Sequence, residues 1–214
     1  MGEKTILSID TSTDWVFAGI YSFDDTKIID RIEFKEQLKR ESSQKLVLIL
    51  QDLLKKTDLK KPNIVSGTIG PGSFTGIRLS TAVIRNLSQI WEIPALAINT
   101  LELYSFYYYK KNEKRTLVAI DGKMNKFFVG GYSIDGFTGE FDISLEEMKD
   151  KFTDYEVYSN QRIENFKFMD DDFPTHSSFL EHKIDKLNSI DTRFTNYSEI
   201  TPLYMRETYA DRKK

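Results

Sequence analysis

ILSIDTSTDWVFAGIY, residues 6–21, recurs as LVAIDGKMNKFFVGGY at residues 117–132, without a gap and at an offset of 111. Five of the sixteen aligned positions are identical: Ile9/Ile120, Asp10/Asp121, Phe17/Phe128, Gly19/Gly130 and Tyr21/Tyr132. Each copy reads as a strand ending in Asp, a short polar turn, and a second strand rich in β-branched and aromatic residues. Hairpins share composition, so a chance match is the competing account. One copy sits at the start of the chain and one just past its middle, which favours duplication.

The first half fills in between the copies. Residues 27–36 (KIIDRIEFKE) alternate enough for a third antiparallel strand. A helix opens at Glu41-Ser-Ser-Gln-Lys, capped by Ser42 or Ser43, and runs to about Lys56. Residues 63–69 form a buried strand, 70–73 a Gly/Pro turn, and about 75–91 a second helix that stops before Pro94. Residues 94–98 are another strand and 101–109 a third helix. The order βββαβαβα, with a strand–Asp turn opening each copy, points to the actin/Hsp70/sugar-kinase (ASKHA) fold of two related α/β lobes. After Tyr132 only residues 144–152 show clear helical character, so the second lobe is expected to be reduced. The expected division is a first lobe at 1–109, a reduced lobe at 110–199, and a final segment at 200–214 packing back on the first lobe.

Composition excludes several functions. With 40% apolar and 29% charged residues over 214 positions, the chain can bury a core as a globular protein. No apolar run approaches membrane-spanning length, and the start lacks the apolar stretch of a signal peptide, so a cytoplasmic location is expected. The absence of cysteine removes disulfides, thiolate zinc sites and a cysteine nucleophile. A net charge of −3, with basic residues scattered as short pairs and the Arg212-Lys213-Lys214 end, does not provide a broad nucleic-acid surface.

The most informative motif is SGTIGPGSFTGIR, residues 66–78, between a strand and a helix. Gly70, Gly72 and Gly76 let the backbone turn sharply, and the helix start at Ser73 and Thr75 directs N–H groups at anything anionic. No Lys-Ser/Thr follows a closing glycine, and the glycine spacing exceeds the dinucleotide fingerprint by one residue. Two readings stand: a phosphate-binding turn using Gly70, Gly72, Ser73, Thr75, Gly76 and Arg78, or a tight packing turn.

The two long helices are unusually apolar. Leu46, Ile49, Leu50, Leu53 and Leu54 follow one helical stripe, and Val47 and Leu48 extend it round the cylinder. On the second helix Leu79, Val83, Leu87 and Ile90 form one stripe, with Ile77, Ile84 and Trp91 on another. Such helices are covered twice, either by a third layer of the same chain or by a partner.

GPGSFTGIR on a strand–turn–helix closely resembles the signature of the TsaB (YeaZ) family, a non-catalytic branch of the TsaD group. ILSIDTST resembles the family's opening strand and turn, AIDGKMNKFFVGGY its mid-chain strand pair, and Thr201-Pro-Leu-Tyr-Met-Arg206 its C-terminal element. Residues 133–195 carry no recognisable counterpart. Ser42 stands where the family often has histidine, and Gly122-Lys123 where it usually has arginine.

The resemblance implies a scaffold that binds and activates TsaD, which forms threonylcarbamoyladenosine at position 37 of tRNAs reading codons that begin with A. It implies docking through Leu46, Ile49, Leu50, Leu53, Leu79, Val83 and Leu87, with a homodimer when the partner is missing. Leu50→Glu or Val83→Glu is then expected to leave a folded chain that no longer binds TsaD. TsaE is the further partner, tRNA is reached mainly through partners, and no cofactor is held tightly, ATP or ADP entering only in the complex.

The competing classes are a small ASKHA-type nucleotide-binding phosphotransferase, using Asp10, Asp121 and the glycine turn, and a metallopeptidase. The metal reading is poor: His176 and His182 are the only histidines and lack i, i+4 spacing. Asp170-Asp171-Asp172 before His176 reads as a solvated loop. Ser73 and Thr75 have no histidine to serve as base and are expected to cap the second helix. Asp10 and Asp121 are therefore read as vestigial strand-end acids, with no catalytic residue and no metal ligand.

Overall fold

The computed structural model describes residues 3–206. Strands β1 (Lys4–Asp10), β2 (Trp15–Phe23) and β3 (Ile28–Gln37) form an antiparallel meander, and β1 also pairs in parallel with β4 (Ile64–Gly70). With β5 (Ala95–Asn99) the sheet order is β3-β2-β1-β4-β5. In the second half, β6 (Thr116–Asp121), β7 (Lys126–Ser133), β8 (Gly136–Ser144), β9 (Glu156–Ser159) and β10 (Lys167–Phe168) repeat that order as β10-β9-β6-β7-β8. The duplication read from the hairpins is therefore a duplication of whole sheets.

Helix α1 (Ser42–Lys56) joins β3 to β4, and α2 (Phe74–Trp91) joins β4 to β5. Both pack on one face of the first sheet, where Leu46, Leu50, Leu53 and Ile84 meet Leu7, Ile9, Val16, Ala18 and Ile20 in one core. In the second half α4 (Leu145–Lys151) takes the place of α1, its Met148 buried with Leu117, Ala119 and Val129. Among the described residues no helix stands between β9 and β10, so the second lobe is reduced at that point.

The compact units do not follow chain order. One holds the chain through Ile69, Ser73–Ile98 and Thr175–Pro202; the other holds Gly70–Gly72, Asn99–Pro174 and the residues from Leu203. The boundary expected near residue 109 thus falls between Ile98 and Asn99. Helix α3 (Thr100–Asn112) is the reason: it buries Leu101, Leu103, Tyr104, Phe106 and Tyr108 and packs on β6, β7 and β8. Gly130 on β7 admits it, since a Cβ there would lie 2.8 Å from the Leu101 Cβ. Conversely, residues 175–199, expected in the second lobe, return to the first with α5 (Ser177–His182) and α6 (Ile184–Ser189). There the Asn196 side chain both accepts from the Ala95 amide (2.8 Å) and donates to its carbonyl (3.0 Å), closing edge strand β5.

The final segment divides as well. Ile200 is buried in the first unit's core, while Leu203 to Arg206 belong to the second unit. There the Arg206 guanidinium grips Asp142 through two 2.5 Å contacts and donates to the Gly122 carbonyl at 2.7 Å. The expectation that 200–214 packs as a whole on the first lobe is corrected to that extent; residues 207–214, with Arg212-Lys213-Lys214, lie outside the described residues.

The two hairpins differ in register by one residue: Phe17 pairs with Asp10, whereas Phe128 pairs with Ile120. Both strand-end acids nonetheless make the same turn bond, Asp10 accepting from the Ser12 amide and Asp121 from the Lys123 amide.

Candidate functional site: the helical face of the first unit

The α1 stripe splits into two classes. Leu46, Leu50 and Leu53 are core residues, at 0%, 6% and 2% exposure, and Ile49 and Leu54 are half-buried against them. Leu46, Leu50 and Leu53 thus face their own sheet and cannot be reached by a partner, contrary to expectation. Leu50→Glu would put a charge into the core and tests folding rather than docking. Val47 and Leu48, by contrast, are 53% and 65% exposed. On α2, Leu79, Val83 and Leu87 are half-buried at the edge of the same core, while Phe74 and Ile90 are 51% and 72% exposed. No described segment supplies the third layer that would cover these four side chains. Beside α1, a groove of about 390 Å³ against β3 is lined by Ile32, Phe34, Leu48, Ile49 and Leu53 together with the charged Glu33, Glu36, Lys45, Asp52 and Lys56.

The caps follow from short-range chemistry. Ser73 caps α2, its Oγ accepting from the Gly76 amide at 3.4 Å, whereas Thr75 lies within the first turn. Helix α1 has no side-chain cap; the Ser42 hydroxyl donates to the Lys39 carbonyl instead.

The glycine turn is built for packing. The Ser73 amide donates to the Ser12 carbonyl (2.7 Å), the Thr11 hydroxyl to the Gly76 carbonyl (2.7 Å), and the Ile77 amide to the Ser73 carbonyl (2.8 Å). A Cβ on Gly76 would lie 1.8 Å from the Thr11 carbonyl oxygen, so no other residue fits. Gly70 has φ 123°, also a glycine conformation. Arg78 lies over the Phe74 ring at 3.8 Å. Ser73, Thr75, Gly76 and Leu79 nonetheless line an open cleft of about 870 Å³, with Thr11 and Lys45 opposite.

Asp10 and Asp121 have separate fates. Asp10 is fully buried: its Oδ1 accepts from the Ser12 amide and the Thr68 hydroxyl, both at 2.7 Å, and its Oδ2 lies 3.8 Å from His176 Nε2. His176, placed by sequence in a solvated loop, is 0% exposed, stacks on Phe17 at 4.2 Å, and bonds Ser8 Oγ through Nδ1 at 2.7 Å. Ser8, His176 and Asp10 resemble a nucleophile–base–acid array, but all three are sealed from any substrate. The signal missed in the sequence was the Phe-Pro pair at 173–174, which ends one unit and carries His176 into the other. His182 ends α5 on the surface.

Asp121 ends β6 and is half-buried. Its carboxylate accepts from the Lys123 amide (2.8 Å) and ammonium (2.5 Å), bracing a turn in which Lys123, Met124 and Asn125 all have positive φ. The acidic run is also occupied: Asp172 takes the Tyr107 hydroxyl and the Lys111 ammonium, and Asp171 pairs with Arg162 at 3.8 Å. No group of residues among those described could hold a metal ion.

Residues 34–212 match the family profile "TsaD: tRNA N6-adenosine threonylcarbamoyltransferase". The chain belongs to this family, in its TsaB/YeaZ branch. A TsaB, named as a tRNA threonylcarbamoyladenosine biosynthesis protein, from Buchnera aphidicola of Schizaphis graminum is 34% identical over 59% of this chain and 60% of its own length. The protein of that name from Escherichia coli K12 is 30% identical over 61% of this chain and 55% of its own. The chain thus spans under two thirds of these two relatives' lengths. The YeaZ structure from Pseudomonas aeruginosa superposes with a TM-score of 0.73 at 19% identity, covering 94% of this chain and all of that one. The two-sheet ASKHA-type architecture is therefore that of YeaZ. No helix among the described residues is long and apolar enough to cross a membrane.

Proposed function

We propose that this chain is a non-catalytic subunit of the machinery that forms threonylcarbamoyladenosine on tRNA, and that it docks TsaD through the exposed side of α1 and α2. The observation that carries this reading is the set Val47, Leu48, Phe74 and Ile90, apolar side chains held in solvent on one helical layer. The names of the relatives supply the pathway. Docking fixes TsaD's lobes and so its active site, while TsaE joins the pair and tRNA is held mainly by the partners. The chain works in the cytoplasm without a tightly bound cofactor, ATP or ADP entering only in the complex, and self-associates when TsaD is missing.

The non-catalytic role rests on where the reactive groups lie. Asp10 and His176 are closed in the core, Asp121 braces a turn, and the Ser73, Gly76 and Ile77 amides of the glycine turn donate within the chain itself. The test is threonylcarbamoyl transfer reconstituted from purified components with and without this chain. Transfer is expected to depend on it, and Val47→Glu/Ile90→Glu is expected to abolish that dependence in a chain that stays folded. Undiminished transfer without the chain, or turnover of ATP by the chain alone, would overturn the reading.

A further inference from the structure

Helices α1 and α2 cover one face of the first sheet, and the returning segment Thr175–Pro202 covers the other. Leu7 and Ile9 on β1 and Val65 on β4 face the helices, so by alternation Ser8, Asp10, Ser66 and Thr68 face the segment. All four are at 0% exposure, so the centre of the covered face is polar. The segment is fastened at separate points. The Ser177 hydroxyl accepts from Arg31 on β3 (3.0 Å), His176 meets Ser8 on β1 (2.7 Å), and Asn188 donates to the Asp24 carbonyl (3.3 Å). At the far edge of the sheet Asn196 holds the Ala95 amide and carbonyl.

Three features make this cover weakly held. Its helices α5 and α6 have six residues each, and its fully buried apolar side chains are Phe179, Leu180, Leu187 and Ile200. His176 Nε2 and the Ser178 hydroxyl are buried without a hydrogen-bond partner among the described residues, and each penalises the closed arrangement. A polar floor also loses less on meeting water than the apolar floor under α1 would. We infer that Thr175–Pro202 is a strap that opens and recloses as one unit while the first sheet stays folded, with the His176–Ser8 bond as its clasp. Opening uncovers Ser8, Asp10 and Thr68 and frees the Ala95 edge of β5, so the strap gates access to the polar centre of the sheet. The open state brings no catalysis, because His176 leaves with the strap and its pairing with Ser8 is broken. The inference is therefore independent of the docking proposed above.

Native-state amide exchange of the full chain, followed residue by residue by NMR at neutral pH, tests this. The amides of Leu180, Leu187 and Ala95 are all hydrogen-bonded when the strap is closed, to the His176 and Lys183 carbonyls and the Asn196 side chain. They are expected to exchange about tenfold or more faster than those of Leu7 and Ile9 on the central strand β1. His176→Ala is expected to accelerate all three by one common factor of about tenfold and to leave Leu7 and Ile9 unchanged. A common factor at positions so far apart separates opening of the strap from local fraying of its short helices. His176→Gln, whose amide can still bond Ser8, is expected to give intermediate rates. If the three parent amides exchange no faster than Leu7 and Ile9, the strap has no opening of its own and the inference fails. It fails as well if His176→Ala accelerates Leu180 alone, or all five amides alike. If His176→Ala does not fold, the parent rates and those of His176→Gln decide by the same criteria.

Discussion

The two units share one sheet order, 3-2-1-4-5 and its repeat, yet only the first has two long helices on its open face. In the second, α4 has seven residues and the β9–β10 connection has no helix among the described residues. Their strand-end acids differ in burial: Asp10 is fully buried, and Asp121 is half-buried at the end of β6. The same sheet order thus carries a longer helical layer in one copy than in the other.

The sharpest way to break that comparison is Gly76→Ala. With 1.8 Å to the Thr11 oxygen, the turn and α2 must move apart, and urea unfolding is expected to show a loss of about 3 kcal/mol or more. A loss below about 1 kcal/mol would mean that the first unit's turn is not the tight joint described. Next in size is Leu50→Ala, expected to cost about 2–5 kcal/mol because Leu50 is core, whereas Val47→Ala should stay within about 0.5 kcal/mol. Equal effects would erase the distinction between core and exposed faces of α1.

The strand acids provide a third comparison. His176→Ala removes the ring facing Asp10 and the bond to Ser8, and is expected to cost about 1–3 kcal/mol. Asp121→Asn, beside the exposed Lys123, should cost under about 1 kcal/mol. Arg206→Gln sharpens the account of the second unit and is expected to cost about 1–2 kcal/mol. The Arg206 hydrogen bonds hold the Asp142 carboxyl below the usual carboxylate range. Because the folded carboxyl is the stronger acid, its contribution is present above about pH 4 and is lost as pH falls through the lower folded value. The gap between parent and Arg206→Gln should therefore be flat from pH 7 to about pH 5 and narrow below about pH 4. A gap that widens in acid would rule out the Arg206–Asp142 pair as its source.

Much of the first half was legible because its signals are local. Strand alternation, the glycine turn and the Pro94 stop place β1 to β5 with α1 and α2 close to their observed ends. Of residues 133–199 only α4 was legible, since β9 and β10 have four and two residues, and Gly136 and Gly139 read as loop residues although both lie in β8. Elements that short carry no period to read. The apolar stripe of α1 was legible but its orientation was not: apolar spacing identifies a helix with much apolar surface but does not say which side the sheet takes. Here the sheet took Leu46, Leu50 and Leu53, and left Val47 and Leu48 outside.

By itself the sequence determined the duplication, the strand–helix order, the glycine joint and the lack of cysteine. It also carried the resemblance to the TsaB family. Only the tertiary structure decided that α3 joins the second unit and residues 175–202 the first, that Asp10 is buried and Asp121 is not, and that His176 is a core residue. The physical reason is range. Periodicity and turn chemistry act over a few residues, whereas burial and strand pairing depend on partners far away in the chain.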